Sequence, residues 1–204
     1  MSLLSKLIIA TGNFGKYKEF EQIINHTADN NFTHEIIFAP DKAKLIVEES
    51  GKSYAENAML KARAWTEKTG LPCLSDDSGL EVEALNGAPG LYSARIIKGT
   101  DRDKAEWLLS ELDGVENRKA RFSAALCLCV PDEYTLVTEG YCYGTIAESQ
   151  RGFDGFGYDP VFIPDGYTMT FAELGSEIKN NISHRANAFR KICRLLNVNV
   201  NIEA

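Results

Sequence analysis

Apolar positions along the chain change period several times, and each change marks an element. Leu7-Ile8-Ile9-Ala10 is a short continuous apolar run that predicts a buried strand, and Thr11-Gly12-Asn13-Phe14-Gly15-Lys16 predicts a tight turn into a helix. From Lys16 to about Asn25, Tyr17, Phe20, Ile23 and Ile24 recur on one helical face, with Lys18, Glu19 and Gln22 facing water. A strand follows near Ile36-Ile37-Phe38. Ser53, with Glu56 three residues later, forms a capping box for a helix that ends before Gly70 and Pro72. Its predicted inward face is Ala55, Met59, Ala62 and Trp65, which places Asn57, Lys61 and Lys68 elsewhere and lets Lys61 project toward a cleft. Another helix is predicted from Thr100 to Leu112, with Ala105, Leu108, Leu109 and Leu112 inward and Gly114 as its stop.

From Ala120 to Val130 the period changes to two, with Phe122, Ala124, Leu126, Leu128 and Val130 alternating with Arg121, Ser123, Ala125, Cys127 and Cys129. That strand, the loop Pro131-Asp132-Glu133 and the β-rich stretch Tyr134 to Gly144 predict an antiparallel hairpin. A glycine-rich segment with Phe153, Phe156, Tyr158 and Phe162 separates the hairpin from a last helix. This opens at Ser183 and carries Phe189, Ile192, Cys193 and Leu196 on one face. Strand-turn-helix beginnings around a hairpin middle predict an α/β or α+β fold with a mixed sheet. With no repeat, linker or low-complexity tract, residues 1–204 read as one domain.

Composition narrows the function classes. At 204 residues the chain can bury a substantial core, and 44% hydrophobic with 25% charged residues excludes a disordered chain. The 29 acidic against 22 basic residues, net −7, argue against binding polymeric nucleic acid, which relies on clustered cations. A small polyanion would need a divalent cation and a few focused Lys and Arg side chains. Five cysteines, at 73, 127, 129, 142 and 193, lack C-x-x-C spacing, so they indicate neither a disulfide framework nor a zinc site. They suit a reducing compartment, and Cys127 and Cys129 read as core. The N-terminal apolar run is too short for a signal peptide or membrane span, so a cytoplasmic protein with no membrane contact is expected.

Several polar constellations could carry chemistry. Ser75-Asp76-Asp77-Ser78-Gly79 sets two carboxylates after the apolar run Leu71 to Leu74. Such a pair suits Mg²⁺ or Mn²⁺, or serves simply as a turn or helix cap. Thr11 to Lys16 offers free backbone amides, a helix N-terminus and a lysine to a phosphate, or else a plain turn; it lacks Walker A spacing. Glu48 and Glu49 could share a cation with Asp77, or be solvated surface carboxylates. Lys179, His184 and Arg185 bracket the helix cap Ser183, where cations are disfavoured unless an anion sits among them. Gly155-Phe156-Gly157-Tyr158-Asp159-Pro160 could stack aromatic faces on a base or line the core as a rigid loop.

Taken together, these motifs resemble the inosine triphosphate pyrophosphatase family, also called Ham1-like or non-canonical purine NTP pyrophosphatases. The resemblance rests on Thr11-Gly12-Asn13 with Lys16, Ser53 to Ala58 with Lys61-Ala62, and Asp76 to Leu80. It rests also on Gly87-Ala88-Pro89-Gly90 with Tyr92-Ser93-Ala94-Arg95, on Gly155 to Pro160, and on Ile182-Ser183-His184-Arg185. The motifs occur in family order across residues 7 to about 196. The resemblance implies an elongated α/β fold with a long mixed β-sheet flanked by helices, two lobes with a central cleft, and a homodimer. It implies hydrolysis of (d)ITP and XTP to the monophosphate and pyrophosphate with Mg²⁺, Mn²⁺ being a possible substitute.

Carried over by position, Thr11, Gly12, Asn13, Phe14, Gly15, Lys16 and Lys61 would hold the triphosphate. Asp77 would accept the proton of the attacking water and bind metal, with Glu48 as a further ligand. Ser78, Phe156, Gly157, Tyr158, Asp159, Lys179, His184 and Arg185 would contact the nucleotide, the last two near the 6-oxo edge. Donors aimed at that oxygen would favour hypoxanthine and xanthine over adenine, whose amino group would leave them unpaired. Ile178 and Tyr54-Ala55 depart from the usual family residues without touching a proposed ligand. Two other activities fit the same motifs: a pyrophosphatase for another modified or pyrimidine NTP, and a nucleotide-binding sensor without turnover.

Overall fold

The structure, a computed structural model, describes residues 4–27 and 32–198. In chain order its elements are β1 (Leu4–Ala10), α1 (Phe14–Thr27), β2 (Thr33–Phe38), a single turn α2 (Ala39–Lys42), α3 (Tyr54–Thr69) and β3 (Cys73–Val82). They continue with α4 (Asp101–Glu111), β4 (Lys119–Val130), β5 (Tyr134–Ile146), β6 (Phe162–Pro164), α5 (Phe171–Ile182) and α6 (His184–Leu195). The strands form one six-stranded sheet in the order β2-β1-β3-β4-β5-β6. It is mixed: β1 runs parallel to both β2 and β3, whereas β6 is antiparallel to β5. The expected β4–β5 hairpin is present, its neighbouring strands joined by residues 131–133. Among the described residues no helix is long and apolar enough to cross a membrane.

The chain divides into two compact units. The first takes in Met1–Asp77, Ala124–Gly140 and Arg185–Ala204. Here strand alternation separates two cores. Leu7, Ile9, Leu74, Leu126 and Leu128 face α1 and α6, packing with Phe20, Ile23, Phe189 and Ile192. The intervening Ala125, Cys127 and Cys129 pack on Ala58 and Ala62 of α3, and Ile8, Ala10 and Cys73 on Trp65. Helices thus cover both faces of the strands, which is why this half of β4 is buried without a break. The cysteines of these strands are small apolar fillers, and burial pushes the Cys127 thiol up to about 12.

The capping signals of α3 work as expected, with one shift. Ser53 Oγ accepts from the Glu56 amide at 3.2 Å, while Glu56 Oε2 accepts from the Lys52 amide, one residue before the cap. Gly70 closes the helix in the left-handed conformation at φ 66°. The inward face differs from the predicted one. Asn57, Ala58, Ala62, Trp65 and Thr66 are buried, and Ala55 and Met59 lie only at the margin. Asn57 turns the face because its amide has polar partners inside, described below.

The second unit takes in Ser78–Ser123 and Tyr141–His184. Its core joins Leu80 and Val82 to Ala105 and Leu108 of α4, with Phe122, Phe162 and Phe171 in mutual ring contact. α4 carries a complete capping box between Thr100 and Asp103. α5 was not among the predicted elements, yet it too carries a box, between Thr170 and Glu173, before breaking at Gly175 (φ 78°). In the first unit, Phe189 is wholly buried and meets Phe32 edge-on at 5.2 Å. Phe189→Ala should therefore lower unfolding free energy by about 4 kcal/mol through lost burial and a residual cavity, as read by urea unfolding.

Candidate active site

In the first unit the site residues start at the β1–α1 turn. Thr11 Oγ1 accepts from the Asn13 amide and Asn13 Oδ1 from the Lys16 amide, both at 3.1 Å, so Asn13 caps α1. Space beside Gly12 is open, and Phe14 stands largely exposed with its ring edge-on to Phe38 at 5.6 Å. One turn into α1, Lys16 Nζ lies 2.7 Å from Asp76 Oδ2. Arg185, at the start of α6, reaches the same oxygen at 3.3 Å and Glu19 at 3.2 Å. Glu19, expected to face water, is 5% exposed. A buried guanidinium requires counter-charge, and no helical periodicity can announce a partner so far along the chain.

Asp76 and Asp77 point to opposite faces of β3, as successive strand residues must. Burial alone would raise the pKa of Asp76, but the Arg185 and Lys16 cations hold it well below the usual carboxylate range. Burial pulls Lys16 down from the usual lysine value, with Asp76 opposing it and Arg185 and Lys61 adding to it. Asp77 faces α3. Its Oδ2 accepts from Asn57 Nδ2 at 2.9 Å, and its Oδ1 lies 3.6 Å from Lys61 Nζ. Burial pushes Asp77 up, and Lys61 and Asn57 offset that only in part. Lys61 Nζ also contacts Glu49 Oε1 at 2.5 Å, whereas the neighbouring Glu48 is exposed.

Asn57 is the polar residue beside Asp77 that side-chain patterning misplaced. Its Oδ1 accepts from the Gly51 amide at 2.8 Å, and a Cβ at Gly51 would sit 2.6 Å from that oxygen. One buried amide therefore ties the segment after Glu49 to Asp77. Among the described residues, no three His, Cys, Asp or Glu side chains are grouped to hold a metal ion.

In the second unit, Asp159 Oδ2 accepts from the Phe156 amide at 2.9 Å and pairs with Lys179 Nζ at 2.5 Å. Lys179 is itself buried and lies 4.4 Å from the centroid of the Phe156 ring. Gly155 has φ +81°, and a Cβ there would run into the Asp159 carboxylate. Tyr158 is 4% exposed and donates to the Ser93 carbonyl at 3.1 Å, so its ring belongs to the core side of this loop. His184 stacks on Phe122 at 4.8 Å with 10° between planes, and Ser78 on β3 is half-buried. Thus Thr11 to Lys16, Glu48, Lys61, Asp77 and Arg185 fall in the first unit, and Ser78, Phe156 to Asp159, Lys179 and His184 in the second.

A model of the Ham1 family matches residues 7–195. The chain belongs to the Ham1 family. It is 45% identical over 196 residues to a Streptomyces avermitilis protein named dITP/XTP pyrophosphatase, covering 93% of this chain and 96% of that one. A Bacillus subtilis protein of the same name is 43% identical over 207 residues, covering 96% and 99%. Among solved structures, the Staphylococcus aureus Ham1 protein superposes with TM-score 0.80 at 37% identity, covering 95% of this chain and 98% of its own. A HAM1 protein from Coxiella burnetii gives TM-score 0.81 at 34% identity, covering 95% and 99%.

In this Ham1-family chain the two adjacent aspartates are therefore chemically unlike. Asp76 is a carboxylate held well below its ordinary pKa between two cations, while Asp77 is a carboxylate of raised basicity oriented by an amide and a lysine. Asp76→Asn should cost about 3 kcal/mol, because it leaves the buried Arg185 and the half-buried Lys16 without their shared counter-charge. The folded pKa of Asp76 lies below its unfolded value, so its contribution is complete above about pH 4 and is lost as pH falls through the folded value. Urea unfolding at pH 7 and pH 3 should show the gap between wild type and Asp76→Asn narrowing at the lower pH.

Proposed function

We propose that this protein hydrolyses ITP, dITP and XTP to the nucleoside monophosphate and pyrophosphate, by water attack at the α-phosphorus. The observation that carries this reading is Asp77, a largely buried carboxylate with raised pKa, held by Asn57 and Lys61. A base whose pKa is lifted toward neutrality accepts a proton more effectively than an ordinary aspartate. Its Asn57 hydrogen bond fixes Oδ2, and Oδ1, 3.6 Å from Lys61 Nζ, is the oxygen that would receive the proton. Membership of the Ham1 family and relatives named dITP/XTP pyrophosphatase support the substrate class.

The lysines and the β1–α1 turn would hold the phosphates in line with the departing pyrophosphate, which is most of what phosphoryl transfer asks of a protein. Thr11 to Lys16 would take the chain's distal phosphates at the α1 N-terminus, and Lys61 would bridge them to Asp77. Lys179, His184, Arg185, Ser78 and Phe156 to Asp159 would take the nucleoside. Mg²⁺ suits the carboxylates beside Lys61, Asp77 and Glu49: two hard donors, with the neighbouring Glu48 exposed, are too few for a cage of protein alone and match an ion that completes its shell with substrate phosphate and water. Asp77, with Glu48 by family resemblance, would hold it; when bound it would neutralise phosphate charge and polarise the attacking water, and Mn²⁺ could substitute. The working form on this reading is a cytoplasmic homodimer.

The test is product analysis with Mg²⁺, comparing ITP, XTP and dITP with ATP and GTP. Pyrophosphate from the first three and hardly any from the last two is the expected result; orthophosphate, or no turnover, rejects the reading. Asp77→Asn should lower kcat about a hundredfold or more while nucleotide binding survives, because the proton acceptor is lost and the shape is kept. Lys16→Ala should raise KM, and unchanged KM and kcat would remove the β1–α1 turn from the site.

A further inference from the structure

The loop Gly155 to Asp159 is held by two carboxylates from different elements. Inside, Asp159 Oδ2 takes the Phe156 amide. From α4, Asp101 Oδ2 takes the next amide, that of Gly157, at 2.7 Å. Both glycines of the loop sit in the left-handed region, Gly155 at φ +81° and Gly157 at φ +64°, so the two successive amides are presented in a conformation that few residues adopt unaided. The ordinary reading of an aspartate at the first position of a helix is that it favours the positive end of the helix dipole. Capping duty on α4 is already discharged by Thr100 and Asp103, whose box is complete. The Asp101 carboxylate instead reaches 56 residues along the chain to Gly157, while Lys104 steadies its other oxygen at 3.1 Å.

We infer that Asp101 is a positioning residue for the nucleotide: by gripping the Gly157 amide it sets the backbone that holds the Phe156 ring over Lys179. A hydrogen bond to an ionised acceptor is among the stronger ones available to a loop, and losing it frees the middle of the segment. Asp159 and the Tyr158 hydroxyl still anchor the flanks, so the fold does not depend on Asp101. What changes is how often Phe156 and Lys179 are presented together. The inference rests on the proposal above that this loop meets the nucleoside, and it assigns the effect to binding.

The experiment measures Asp101→Ala and Asp101→Asn against wild type. Asp101→Ala should raise KM for ITP about tenfold with kcat kept within about twofold, the loss expected for one charge-assisted hydrogen bond. Inhibition by IMP should weaken by a similar factor, while inhibition by pyrophosphate, which carries no base, should not change. Asp101→Asn keeps an acceptor oxygen and should restore KM to within about twofold of wild type. A purely structural role would lower thermal stability without splitting KM from kcat. Unchanged KM in Asp101→Ala, a fall in kcat alone, or failure of Asp101→Asn to restore KM overturns the inference.

Amide exchange at Gly157 gives a readout that needs no turnover. Protection is expected in wild type and in Asp101→Asn, with exchange about tenfold faster in Asp101→Ala. A Gly157 amide that exchanges freely in wild type overturns the inference whatever the enzyme does, and decides it even if the alanine variant does not fold. Wild type that releases no pyrophosphate from ITP or XTP, yet protects Gly157 through Asp101, rejects the assigned function and leaves the loop anchor standing.

Discussion

Burying the charge of Asp76 is the constraint around which the first unit is arranged. A carboxylate with 2% exposure is costly unless its charge is met, and here Lys16 and Arg185 meet it from two helices. Arg185 in turn is buried and uses Glu19 as its second counter-charge, which fixes two charges on α1, one on β3 and one at the head of α6. Hydrophobic contact alone would let α1 and α6 slide on the sheet, because Leu, Ile and Phe surfaces tolerate small shifts. A four-member, largely buried network of ions does not tolerate them, since each displaced oxygen leaves a cation without its counter-charge. The network therefore specifies register as well as contributing stability.

That register is what makes the other face of β3 useful. With Asp76 committed to α1 and α6, the pleat turns Asp77 toward α3, where the inward rotation of Asn57 receives it. The same helix supplies Lys61 one turn later, on the same side, so an amide and an ammonium act on one carboxylate. Ser75, alternating with Asp76, donates to the Ala58 carbonyl and ties α3 to β3 just ahead of the aspartates. Two residues of identical chemistry thus acquire opposite shifts: cations outweigh burial at Asp76, and burial outweighs one lysine and one amide at Asp77.

How legible this was in the sequence depends on the range of each interaction. Local signals read well: the period-two strand through Leu126 and Cys127, the Ser53 cap, the Gly70 stop, the Asn13 turn and the hairpin at residues 131–133 are all where short-range pattern put them. α5 carried a readable box at Thr170 and Glu173, but the aromatic and glycine density before it obscured the helix, and Gly175 breaks it after one turn. The misplaced residues share one cause. Glu19 and Asn57 are polar residues on amphipathic helices, and polarity predicts water unless a buried partner is known; those partners, Arg185 and Asp77, lie 166 and 20 positions away. For the same reason, the division of labour between Asp76 and Asp77 could not be drawn from an Asp-Asp pair, whereas the motif resemblance singled out Asp77 without saying why.

A chain of net charge −7 that handles polyanions must concentrate its cations, and each cation of the candidate site already has a carboxylate partner. Lys16 and Arg185 share Asp76, Lys61 holds Glu49 and Asp77, and Lys179 holds Asp159. These pairs keep long, flexible side chains in place before a ligand arrives, which lowers the entropy lost on binding. They also set its terms, because a phosphate must share or displace a carboxylate. Asp76 and Asp159, both 2% exposed, are the more enclosed partners; the Lys61 pair is looser, at 3.6 Å on the Asp77 side. A triphosphate that draws Lys61 toward itself weakens the cation that keeps Asp77 acidic, so binding itself would raise the basicity of the group proposed to take the proton.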